Sequence, residues 1–407
     1  MTTLTMWAFG PQTMRNAIEG EISFFNKDFP DISVSVHLIP WHKAWDTIVV
    51  AANEKQGPDI LEVGSTWNGT LAYLGVLRDL TSEFSEAHIN KDIFVPAAWK
   101  SCNFPGSKKI SSIPWIIDIR ALYYRKDIFS EIGLNNNVFN TWGSFEKACA
   151  RIQENVKARS NLGVLGVPGH KAPLLLQNIA PWIWSAGGDF ITPDGKHAAF
   201  TTEKAIEGIE FYIGLIGRGY IPSYSLKLDD HEITRQFFSE GKYVMSIPGS
   251  LNQYSLQVLH AESEVSQYCM SGLFPKGPDG RFAFCGGSNL AVTNFSKKPQ
   301  EAWELIRFLT CRQSQNFYPY KVNKFPGLIA SFEEFFRSKG EAWQGLRDSW
   351  KYGRAFPNIH TWGAVEALLV ETFSRIFEYA REGIFNMAQI RDLLDEVVSD
   401  VDDLLER

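Results

Sequence analysis

Ile110-Ser-Ser-Ile-Pro-Trp-Ile-Ile-Asp-Ile-Arg-Ala-Leu-Tyr-Tyr-Arg-Lys-Asp-Ile-Phe129 is the stretch on which the reading of this chain turns. Its apolar positions, Ile113, Ile116, Ile117, Ile119, Leu122 and the two tyrosines, are continuous and β-branched rather than spaced at three and four. That pattern reads as a strand buried on both faces. Pro114, Trp115, Asp118 and Arg120 interrupt it. A proline removes a ladder donor and belongs at a strand's start or edge, and a carboxylate in a buried strand is costly unless paired. A crossover between two domains, with Asp118 and Arg120 facing a cleft, satisfies both constraints. An ordinary core strand with a self-contained Asp118–Arg120 arrangement is the other reading.

Outward from that stretch, 407 residues are too many for one core, so two domains are expected. Hydrophobic residues are 44% and charged residues 21%, as in a folded soluble protein, and no apolar run approaches a membrane span. The net charge of -6 provides no basic stripe for phosphates, which argues against a nucleic-acid partner. Aromatic residues carry the compositional signal: 13 Trp, 13 Tyr and 29 Phe, with Trp41, Trp67, Trp182 and Trp362 in loop-like contexts. The five cysteines have no metal spacing, and no metal or cofactor is expected. Cys269 and Cys285 bracket a turn-rich segment, so they are either a loop-closing disulfide or free thiols. No leader precedes the first strand, so either the protein is cytosolic or an export segment has been trimmed.

Residues 3–9, then a helix carrying Met14, Ile18, Ile22 and Phe25, then Ile32–Ile39 form a strand-helix-strand unit. Such units favour a parallel sheet with ligands at the strands' carboxyl ends, here marked by Trp7, Phe9, Trp41 and Trp45. A helix over 43–53 and a strand over 59–63 follow. Gly64-Ser-Thr-Trp-Asn-Gly69 then offers hydroxyls, an amide and an indole together; Ser65 or Thr66 reads as a helix N-cap, as a ligand contact, or as both. Thr141–Glu146 reads as a cap opening a helix; 174–184 is apolar, with Pro181 flanked by aromatics and Gly187-Gly-Asp189 ending it, while 201–217, 230–239 and 299–310 read as helices. Gly241–Ile247 and Phe282–Val292 read as strands, the second interrupted by Gly286-Gly-Ser-Asn289, where glycine allows close backbone approach. The tail from Trp343 is mostly helical, with Arg354–Trp362 a turn-rich exception.

These blocks, in this order, resemble the extracellular solute-binding proteins of ABC importers, specifically the large carbohydrate-binding family that includes the maltose-binding protein. The likeness is carried by Leu4–Phe9, by Gly57-Pro-Asp-Ile60 through Leu80, and by Ile113-Pro114 through Phe129. It continues in Trp184-Ser-Ala-Gly-Gly-Asp189, Phe238–Met245 and Phe274-Pro-Lys-Gly-Pro-Asp-Gly280 through Leu309, so it spans nearly the whole chain. The resemblance implies an α/β, two-domain periplasmic-binding-protein fold (type II-like), with a ligand cleft between the domains and hinge crossings near 111–115, 271–276 and 310–316. The lobes are expected at 1–113 plus 275–312 and at 114–274 plus 313–407. Trp7 and Phe9 match the family's first-strand ligand loop, and Ser65, Thr66 and Trp67 match the loop after the Pro-Asp strand. Asp118 matches an acidic position that binds sugar hydroxyls. Gly249 and Ser250 match a cleft loop, and Gly287 and Ser288 a glycine-rich cleft strand. Leu251 stands where some members carry a stacking Trp, so Trp41, Trp182 and Trp362 are expected to shape a smaller pocket, joined by Arg120 and Arg354.

A sugar presents apolar C–H faces and a rim of hydroxyls, which aromatic rings on one hand and carboxylates, amides and Arg on the other satisfy. The expected ligand is therefore a mono- to trisaccharide-sized carbohydrate or glycoside, with a glycosylated osmolyte included. It is bound by a monomer and delivered by hinge closure to membrane permease subunits from the periplasm or from a lipid-anchored extracellular position. The alternatives are a binder of a non-sugar solute, and a glycoside hydrolase using carboxylates such as Asp118 and Asp189.

Overall fold

A computed structural model describes residues 2–157, 162–169, 174–248, 265–322, 324–337, 340–383 and 386–406. The chain divides into two compact units. Unit 1 comprises Met1–Asp118, Cys285–Ser338 and Ala355–Gly363; unit 2 comprises Ile119–Phe284, Lys339–Arg354 and Ala364–Arg407.

Unit 1 is built on strands β1 (Thr2–Phe9), β2 (Ile32–Ile39), β3 (Ile60–Gly64), β4 (Ile113–Ile119), β9 (Ala283–Val292) and β10 (Phe325–Pro326), ordered β10-β4-β9-β3-β1-β2. β1 runs parallel to β2 along its whole length and parallel to β3 at Met6↔Ile60 and Trp7↔Leu61. Alternation then sorts the side chains. Leu4, Met6 and Ala8 face the core covered by helix α1 (Arg15–Asp28), whose Ile18, Ile22 and Phe25 recur at helical spacing. Trp7 and Phe9 face the other side, where helix α2 (Trp41–Glu54) buries Ala44 and Ile48 against Leu61 and Val63.

Unit 2 carries a four-stranded sheet in the order β6-β7-β5-β8, from β5 (Leu122–Arg125), β6 (Gly163–Gly166), β7 (Tyr243–Ser246) and β8 (Cys269–Gly272). The short strand β11 (Gly353–Arg354) pairs with Ala283–Phe284 at the start of β9. The helix Trp142–Val156 opens with Thr141 accepting from the Ser144 amide while the Ser144 hydroxyl returns to Thr141, so Ser144 and not Glu146 closes the capping box.

The opening stretch is two strands in two sheets, not one. β4 belongs to unit 1 and β5 to unit 2, and Arg120 and Ala121 lie between them. Both strands are buried, so the apolar run continues unbroken across the change of sheet. The unit bounds differ from the expected lobes for the same reason: β4 stays in the unit 1 ladder, where Ile116 and Ile117 pair with β10. That ladder brings 114–118 and 313–338 into unit 1, while 275–284 fall in unit 2 and 355–363 return to unit 1. All five cysteines are free, which removes the Cys269–Cys285 disulfide.

Candidate ligand-binding site

At the carboxyl ends of the parallel strands, three segments bring aromatic rings together. Phe9 ends β1, Trp41 opens α2 directly after Pro40, and Trp67 stands one residue before helix α3 (Asn68–Tyr73). The Phe9 ring centroid lies 5.1 Å from that of Trp41 and 5.9 Å from that of Trp67, and Trp41 and Trp67 are 5.5 Å apart. Trp45 backs Trp67 at 5.7 Å. Phe9 is fully buried, whereas Trp41 is 42% exposed, so the indole of Trp41 is the face this cluster offers to a ligand. Trp7 packs against the same small core and lines a shallow groove along α2 with Thr47 and Val50, apart from these three rings.

Ser65 and Thr66 are half-buried, and neither caps α3: Trp67 occupies the N-cap position without a side-chain cap bond. The Gly64 carbonyl instead accepts from the Trp67 amide at 2.9 Å, a tight turn that throws the indole back toward Phe9. The Ser65 amide donates to the Gly287 carbonyl at 2.9 Å, tying this loop to β9. Gly287 has φ +135°, and a Cβ there would stand 2.2 Å from the Ile116 carbonyl oxygen. The close approach that its glycine permits is therefore to β4. Because Gly64 pairs with Ser288 and Gly287 abuts Ile116 and Ile117, the register places the Trp67 loop and Asp118 at the same end of the unit 1 strands.

Asp118 is half-buried, and its Oδ1 is buried with no hydrogen-bond partner among the described residues. Ser288, by contrast, is committed: its hydroxyl donates to Glu62 Oε1 at 2.5 Å, while the Phe9 amide donates to Glu62 Oε2 at 2.6 Å. Glu62 is fully buried, and burial pushes its carboxyl up to about 7 against the pull of these two bonds and of Lys324. It was missing from the expected site. The signal was readable, since Ile60-Leu-Glu-Val63 sets a carboxylate inside an otherwise apolar strand.

In unit 2, Arg120 is 1% exposed. Its guanidinium donates to Gln177 Oε1 and, at 3.3 Å, to the Pro248 carbonyl, and pairs with Asp230 at 3.7 Å. Arg120 thus has partners of its own in unit 2, and the self-contained Asp118–Arg120 arrangement gives way. Arg354 pairs with Asp189 and lies over the rings of Trp184, at 5.0 Å, and Phe282, at 5.6 Å. Asp189 also accepts from Trp184 Nε1 and the Phe190 amide, so both of its oxygens are engaged. Trp182 is not a loop residue. It sits inside the helix Leu174–Ser185, 1% exposed, among Trp142, Phe145, Phe211, Tyr212 and Phe274, and belongs to the unit 2 core. Trp362, in unit 1, opens the helix Trp362–Arg381 and is fully buried against Phe356 at 5.0 Å. Gly249 and Ser250 lie outside the described residues.

With this geometry in place, comparison with known proteins defines the class. Residues 10–316 match the model of the bacterial extracellular solute-binding protein family, and the chain belongs to that family. It is 28% identical over 256 residues to a probable ABC transporter-binding protein of Deinococcus radiodurans, a match covering 59% of this chain and 58% of that protein. It is 25% identical over 342 residues to the diacetylchitobiose binding protein DasA of Streptomyces coelicolor, covering 82% and 75% of the two chains. The fold is that of the sugar-binding protein MalE from Xanthomonas citri, with TM-score 0.85, 20% identity and coverage of 100% and 98%. A solute-binding protein of Thermotoga lettingae bound with alpha-D-tagatose shares it too, with TM-score 0.78, 20% identity and full coverage of both chains.

Proposed function

We propose that this protein is the carbohydrate-capturing component of an ABC transporter. In this reading it binds a mono- to trisaccharide-sized sugar or glycoside without chemical change and hands it to membrane permease subunits. The observation that carries the reading is Asp118 Oδ1, a buried carboxylate oxygen with no donor among the described residues, at the same end of the unit 1 strands as the Trp41–Trp67 wall. A buried acceptor left unmade costs about 1–3 kcal/mol, and a sugar hydroxyl supplies the missing donor. The exposed indole of Trp41 suits the apolar face of the same ring. Relatives named for diacetylchitobiose and arabinooligosaccharide binding support a saccharide over another solute class.

The proposed ligand groups are Trp41, Trp67 and Asp118 at the wall, with Phe9, Ser65, Thr66, Gly287 and Ser288 shaping it and Trp7 on the neighbouring groove along α2. The protein acts as a monomer outside the cytoplasmic membrane, free or lipid-anchored. Delivery by hinge closure belongs to the same proposal. Turnover is not part of it: the family is one of solute-binding proteins, and Asp189 is held by Arg354, Trp184 and the Phe190 amide. Stoichiometric incubation with maltose, trehalose and diacetylchitobiose, followed by mass analysis, tests this: at least one sugar should be retained and recovered unaltered. Recovery of a hydrolysed sugar would replace binding with catalysis.

A further inference from the structure

We infer that Glu62 is the positioning residue of the aromatic wall: its carboxylate grips the Phe9 amide and the Ser288 hydroxyl from beneath, and its charge state sets ligand affinity. This inference rests on the reading of the Phe9–Trp41–Trp67 wall as the ligand site.

The geometry begins with the end of a ladder. β1 pairs with β3 only at Met6↔Ile60 and Trp7↔Leu61, and the Gly10 amide turns to the Ile39 carbonyl on the β2 side. Alternation sends the Phe9 amide the other way, past the end of the β3 ladder, and the Glu62 side chain takes it at 2.6 Å. The second oxygen takes Ser288 at 2.5 Å, on the strand whose Gly287 carbonyl holds the Trp67 loop. One side chain thus fixes two of the segments that frame the wall. It does so from the opposite face of the sheet, among Ile60, Leu290 and Tyr318, with no exposure of its own.

The charge state matters because only the carboxylate accepts from both donors at once. A protonated Glu62 keeps one acceptor for the Phe9 amide, which can only donate. Its new O–H must point at Ser288 Oγ, and the Ser288 hydroxyl has to rotate away. Ionised, both bonds are charge-assisted; protonated, both are neutral and weaker. Burial places this change near 7, within reach of ordinary conditions. Tyr318, whose hydroxyl is raised in part by Glu62, and Lys324, which favours the ionised form, are the titratable groups facing it among the described residues. β1 and β9 present only the Phe9 amide and the Ser288 hydroxyl.

The test uses the full chain. In 15N-labelled protein without ligand, the Phe9 amide resonance should titrate with a midpoint near 7, and in Glu62→Gln it should not move. Calorimetry with maltose, trehalose and diacetylchitobiose between pH 5.5 and 8.5 supplies the second readout. Affinity for whichever sugar binds should weaken about fivefold from the alkaline to the acid limit, the difference between charged and neutral hydrogen bonds. Glu62→Gln, which imitates the protonated side chain, should hold the acid-limit affinity at every pH. A Phe9 amide that stays flat in the wild type, or a Glu62→Gln protein that keeps the pH dependence, overturns the inference. If none of these sugars binds, the carbohydrate reading fails instead, and the amide titration alone decides whether Glu62 holds the wall.

Discussion

Two carboxylates in unit 1 make opposite demands on the fold. Glu62 has its partners, and its cost is desolvation. Its carboxyl sits near 7 in the folded chain against an ordinary 4.5, so between those values the folded state holds a proton that the unfolded state has released. Stability therefore falls as pH rises through that window, by about 3 kcal/mol at full extent. Urea unfolding from pH 4.5 to 8 should show that decline in the wild type, and Glu62→Gln should reduce it to the part supplied by Glu366, whose carboxyl burial also pushes up to about 7. Asp118 has an oxygen without a partner among the described residues, so its removal should cost binding and not folding. Asp118→Ala should weaken sugar affinity tenfold or more, as losing a charged hydrogen bond of about 1.5–3 kcal/mol requires, while the melting temperature barely changes. An Asp118→Ala protein that melts far lower yet binds normally would make Asp118 a structural residue. Asp118 stood out in the sequence because a charge interrupts an apolar strand. Glu62 interrupts one in the same way, but its role depends on partners from β1 and β9, the Phe9 amide and the Ser288 hydroxyl, which local spacing does not encode.

At the scale of elements, periodicity located most of the secondary structure, and what it could not locate was the neighbour of each element. The alternation in β1 and the three-and-four spacing in α1 and α2 read directly. That the chain crosses between domains within the opening stretch also read from the sequence, and the unit boundary falls there, after Asp118. The split into two strands did not, because burial on both sides leaves the same apolar signature in either sheet. Trp182 reads from the sequence as lying in a loop-like context beside Pro181, yet the helix Leu174–Ser185 continues through that proline. The contrast is measurable. Trp182→Ala should destabilise by about 3–5 kcal/mol, as expected for a buried aromatic. Trp41→Ala, at a 42% exposed position, should leave stability nearly unchanged and reduce sugar affinity. Gly287 was expected to approach a ligand and instead approaches β4. Gly287→Ala, with its Cβ driven against the Ile116 carbonyl at a positive φ, should lose at least about 2 kcal/mol in urea unfolding.

At the scale of the whole molecule, each unit is assembled from three separate pieces of chain. The order of motifs that carries the resemblance runs to Leu309 and the family match covers residues 10–316, so both stop short of the last pieces. That order was legible because each block keeps its own local signature. The bounds of the units were not, since a short strand such as β10 belongs to a sheet only through the partner that a distant segment supplies. The same limit applies to the sugar itself, whose size depends on side-chain directions that spacing does not encode. The central claim, that this chain captures a carbohydrate, is tested most directly by a thermal-shift screen of small saccharides, a peptide mixture and polyamines. A sugar at 100 times its dissociation constant should stabilise the protein by about 2.7 kcal/mol and raise its melting temperature, with peptides and amines without effect. A transition that no saccharide moves, but that a peptide or an amine does, would contradict the account.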